Sequence, residues 1–145
     1  MKNKKLHLYH GIALTQIVEH ESFTALNRGS QKYGHYLINT DRHVFVKYST
    51  AERESWSFTF STEELTEIRK AVHKHQKFFV CLVCGETTVC ALTIDEICEV
   101  MNLQDQDRQS IKVTVPQGGS CHVVGALGKL KRAVPHNSYP KKLFE

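Results

Sequence analysis

The most restrictive stretch of the chain is Phe78-Phe-Val-Cys-Leu-Val-Cys84, seven apolar residues closed by Gly85. A short apolar run rich in aromatic and β-branched residues predicts a central strand covered on both faces. Such a strand cannot sit at a surface, so the rest of the chain must supply packed layers on either side of it. That requirement points to a mixed α/β fold. At 145 residues the chain is the usual size of one domain, so a single compact domain over 1–145 is expected.

The elements that supply those layers can be read around the run. Ile12, Leu14, Ile17 and Val18 give Gly11 to His20 the spacing of a helix with one apolar face. Ser22 to Asn27 is a short β-capable piece, and Arg28 to Gly34 reads as a turn. Tyr36 to Asn39 and Val44 to Ser49 predict a hairpin joined by Thr40-Asp-Arg-His43. Ser55-Trp-Ser-Phe-Thr-Phe60 alternates polar with aromatic, the mark of a strand with one buried face. Ser61-Thr-Glu-Glu64 is a capping box opening a helix that buries Leu65, Ile68 and Val72. Thr88 to Leu92 pairs back onto the central strand. Thr93-Ile-Asp-Glu96 is a second capping box, for a short helix through Met101. Strands are expected over 110–115, 121–124 and 127–134, with turns at Gly118-Gly119 and Gly125.

The order helix, strand, strand, strand, helix, strand is similar to the core of the PD-(D/E)XK superfamily of restriction enzymes, repair nucleases and resolvases. The third strand of that family carries an acidic residue, any residue, then a lysine. The matching stretch here is Phe45-Val46-Lys47. The chain also resembles a bacterial group sharing His-Gly, Lys-Tyr-Ser-Thr, Trp-x-Phe-x-Phe and Leu-Val-Cys-Gly, found here at His10, Lys47, Trp56 and Leu82. The superfamily likeness implies nucleic acid as partner and magnesium or manganese as cofactor.

Phosphodiester cleavage with a divalent ion needs at least two hard oxygen ligands and a group that positions water. His43, Phe45, Lys47 and Ser49 share one face of their strand. Phe45 stands where the family has a carboxylate, and a phenyl ring binds no metal. Asp41 and Glu19 are then the candidate metal ligands, with Lys47, Asp41 and His43 as the catalytic set. The plainer reading is that Lys47 snorkels to solvent or pairs with Asp41 across the hairpin, and that Asp41 is a turn residue.

Other motifs carry less. Cys81 and Cys84 lie three apart in a strand and so face opposite sides, which argues against a zinc pair. His73 and His75 read as a solvated helix end. Trp56, Phe58 and Phe60 form one apolar stripe.

Charge is unevenly spread about a net +4. Residues 1–10 and 127–145 hold eight basic side chains, including Lys129, Lys131 and Arg132, against the single acid Glu145. Such ends suit phosphates, and these three residues are the candidate nucleic-acid contacts. Residues 1–8 and 136–145 are expected to be flexible. The five cysteines, an odd count, and the lack of a signal-peptide core predict a cytoplasmic protein with no membrane span. Two functions stay open. One is a nucleic-acid-contacting protein on a nuclease-like fold. The other is a non-catalytic interaction module, for which a homodimer joined at a sheet edge is one form.

Overall fold

The computed structural model describes residues 4–30, 34–51, 54–117 and 119–145. These residues form helices α1 (Lys5–Val18), α2 (Thr62–Lys74) and α3 (Ile94–Val100), with a short 3-10 turn at Lys141–Phe144. The first sheet contains β1 (Leu26–Arg28), β2 (His35–Ile38), β3 (Arg42–Ser49), β5 (Phe78–Cys84) and β6 (Thr88–Leu92), in the order β1-β2-β3-β5-β6. The second contains β4 (Ser55–Phe60), β7 (Gln109–Thr114), β8 (His122–Gly125) and β9 (Gly128–Lys129), in the order β4-β7-β8-β9. The fold is mixed α/β in one compact domain. No helix among the described residues is long and apolar enough to cross a membrane.

β3 and β5 run parallel, and every other named pairing is antiparallel. Parallel neighbours need a crossover, and β4 with α2 provides it. The seven residues of β5 are all buried, as its composition requires. On one face Val44, Val46, Phe79, Cys81 and Val83 pack against Ala13 and Ile17 of α1 and against Tyr139 and Leu143. On the other, Phe45, Phe78, Val80, Leu82 and Cys84 meet Trp56, Phe58 and Phe60 of β4 and Leu65 and Ile68 of α2. Cys81 and Cys84 fall in these two different cores.

Several expectations need correcting. Helix α1 begins at Lys5, well before Gly11, because His10, Ala13 and Ile17 form its buried stripe. Lys5 to Leu8 are therefore helical, and residues 1–3 lie outside the described residues. Residues 136–145 are docked, not loose: Tyr139 is 8% exposed and Leu143 fully buried. The 127–134 strand is reduced to Gly128–Lys129 plus an isolated bridge between Val134 and Cys121. Gly118 of the expected Gly118-Gly119 turn lies outside the described residues. The β2–β3 hairpin forms with Asn39 and Thr40 in the left-handed region, at φ 54° and 69°. Asn39 steadies the bend by accepting from the Thr24 and Ala25 amides and donating to the Ser22 carbonyl.

Candidate functional site

Strand β3 turns Phe45 toward β4 and α2, and Lys47 shares that face. The Lys47 ammonium donates to Glu64 Oε2 and to the Thr59 carbonyl, both at 2.7 Å, and lies 4.8 Å from the centre of the Phe60 ring. Glu64 is the capping-box residue of α2, and its Oε1 accepts from the Ser61 amide at 3.0 Å. Burial pushes the Glu64 carboxyl up, but the bonds from Lys47 and Ser61 outweigh it and hold the group below its ordinary value. Lys47 thus ties β3 to β4 and α2. A cavity of about 240 Å³ beside the pair is lined by Leu6, His10, Phe45 and Tyr48 as well as by Lys47 and Glu64.

The expected pairing of Lys47 with Asp41 does not form. They stand six positions apart along the extended chain, about 20 Å of backbone. Asp41 lies at the far end, bonded to Arg42 at 2.7 Å and Lys77 at 3.4 Å. Glu19 caps the end of α1, and α1 packs on the Val44 and Val46 face. The first sheet therefore lies between Glu19 and Lys47. Among the described residues no three His, Cys, Asp or Glu side chains gather as a metal set. The carboxylates present also fit a hard cation poorly: Asp41 is engaged by two cations, and Glu64 by Lys47 and an amide. Asp41, Glu19 and Lys47 are not brought together into one magnesium or manganese site.

His43 is drawn into a different cluster. Its Nδ1 lies 3.0 Å from His35 Nε2, and its ring stacks on that of His75 with centroids 3.5 Å apart. His75, which reads from sequence as a solvated helix end, is the C-cap of α2 and closes over β3. Glu64 and His75 are 11 residues apart, about three helical turns, and so share a helix face. Helix α2 runs opposite to β3, so its first turn meets Lys47 and its last meets His43. That spacing is the signal that would have found both partners.

Burial, then the neighbouring His75, His35 and Lys74 in that order, push His43 down to about 4. A neutral imidazole with so low a value is a weak general base near neutral pH. It also makes stability depend on pH. The folded value lies below the ordinary 6.5, so the unfolded chain takes up the proton first as pH falls. Unfolding midpoints in urea should drop as pH falls from 6.5 toward 4, and His43→Gln should flatten that slope. An unchanged slope in the variant would remove His43 as its source.

The second sheet presents a different surface. Trp56, Phe58, Ile111, Val113 and Val123 point into the core, so the alternate positions point out. The register lines up Ser57, Lys112, Val124 and Lys129 in one row across four strands. Thr59 and Ser110 form the adjacent pair, with hydroxyls 3.3 Å apart, and Ser55, Thr114 and His122 lie on the other side. None of these nine outward positions holds Asp or Glu. Lys131 and Arg132 follow β9 and are exposed, with the Lys131 amide donating to Glu99 Oε1 at 2.7 Å. Of the candidate nucleic-acid contacts, Lys129 stands within this face, and Lys131 and Arg132 follow directly in the chain.

No family model, no curated protein and no solved structure matches this chain.

Proposed function

We propose that this chain is a nucleic-acid-contacting protein that holds phosphates on the outer face of its second sheet. Its likeness to metal-dependent nucleases is one of scaffold, without cleavage at Lys47. The observation that carries the reading is the row Ser57, Lys112, Val124 and Lys129, in register on a face whose strands offer no carboxylate. Lysines attract phosphates, and serine and threonine hydroxyls donate to phosphate oxygens. The non-cleaving half is supported by the engagement of Lys47 with Glu64 and the Thr59 carbonyl, which leaves its ammonium no free approach to a scissile phosphate.

Titration of labelled nucleic acid, followed by anisotropy, tests this. Affinity should fall steeply with salt, as counterion release demands. The double reversal Lys112→Glu with Lys129→Glu should weaken binding about tenfold or more. Both residues are exposed, so the urea midpoint should not move. Absence of binding at low salt would shift the weight to a protein-interaction module, for which β1, exposed along its whole length, offers an edge to a second copy. Magnesium- or manganese-dependent cleavage that is lost in a folded Lys47→Ala protein would overturn the non-cleaving half.

A further inference from the structure

Resting on the nucleic-acid reading, we infer that the ligand is a duplex, gripped by its two phosphate backbones and not by its bases. Proteins that hold single strands do so by stacking bases on aromatic side chains. Here every aromatic residue of the second sheet is turned away from the outer face: Trp56, Phe58 and Phe60 are 2%, 1% and 0% exposed. The nine outward positions carry no Phe, Tyr or Trp, and only His122, at one end, offers a ring.

What the face offers is charge, and in a spaced arrangement. Lys112 and Lys129 stand two strands apart with Val124 between them, about 10 Å in the hydrogen-bonding direction. A duplex carries one charge per about 1.7 Å of axis, twice the linear density of one of its strands, on two backbones that flank a groove. Two lysines about 10 Å apart, with Lys131 and Arg132 following β9, can engage both backbones together. On the β4 and β7 half, Ser57, Thr59, Ser110 and Thr114 are too short to enter a groove and reach base edges, but long enough to meet phosphate oxygens. Recognition is therefore independent of sequence.

The decisive comparison is a mixed-sequence DNA duplex against each of its separated strands, at equal length and salt, with wild-type protein and with Lys112→Ala plus Lys129→Ala. The duplex should bind about tenfold tighter than either strand, with a second, unrelated duplex sequence binding equally well. The slope of log affinity against log salt should flatten by about 1.8 in the double variant, two phosphate contacts' worth. Equal or tighter binding of a single strand overturns the duplex inference and leaves the nucleic-acid reading standing. Polyglutamate binding as tightly as the duplex overturns it in favour of an acidic protein partner. No binding of duplex or strand by the wild type defeats the underlying reading itself.

Discussion

Phe45→Glu is expected to unfold the protein rather than to give it a metal site. In the nuclease pattern expected from the sequence, the residue two before the strand lysine is acidic. The substitution would restore the family pattern on paper. Yet Phe45 is 6% exposed and packs with Phe58, Phe60, Leu65 and Val80 in the larger of the two cores. Removing a buried phenyl ring costs about 3–5 kcal/mol, and an unpaired buried carboxylate adds several more. The sum rivals the whole stability of a domain, about 5–15 kcal/mol. Lys47, on the same strand face, is already bonded to Glu64, so a second carboxylate would compete for a partner that is taken. Phe45→Leu should remain folded, and Lys47→Ala should cost about 2 kcal/mol through its lost charged hydrogen bonds. Circular dichroism with urea titration separates these outcomes. A Phe45→Glu protein with near wild-type stability that binds magnesium would mean that position 45 faces a ligand site after all.

The same residue shows why the sequence led part of the way. Alternation along β3 correctly placed Phe45 and Lys47 on one face, because strand geometry is local. The capping boxes at Ser61 and Thr93 were legible for the same reason, and both form with reciprocal bonds. The partner of Lys47 was harder to see. Reading Glu64 as a capping residue accounts for one of its oxygens, and only its 11-residue spacing from His75 on α2 points to the other crossing to β3. The departure of β4 to a second sheet was equally hidden. Its polar and aromatic alternation suits either sheet, and its partner β7 arrives some fifty residues later. Among the outward positions of the second sheet, the serines and threonine of β4 were visible in the alternation. Their alignment with Lys112 and Lys129 depends on register, which spacing alone does not fix. The density of lysines near residues 141 and 142 suggested a solvated end, and there charge was a poor guide to docking.

Truncation after Pro135 should accordingly be among the most damaging changes the chain can suffer. The segment 136–145 spans the α1 face of the first sheet. Leu143 is fully buried there, and the Tyr139 hydroxyl donates to the Ala13 carbonyl at 2.8 Å. Lys142 donates to the Ala91 carbonyl and to Glu96, and the Thr88 hydroxyl donates to the His136 carbonyl, so the segment also covers the β6 edge. Arg42 reaches the Leu143 carbonyl from the opposite edge of β5. Burial of Tyr139 and Leu143 is worth about 1.5–3 kcal/mol each, before the hydrogen bonds are counted. A loss of about 5 kcal/mol is expected, together with association through the uncovered β6 strand. Thermal melting and size-exclusion chromatography read the two effects separately. Tyr139→Phe, which removes one hydrogen bond and keeps the packing, should cost only about 1 kcal/mol. If the truncated chain melts with the full-length protein and stays monomeric, the segment is an ornament on the fold. If it melts early and self-associates, residues 136–145 are what shields the edge strand β6.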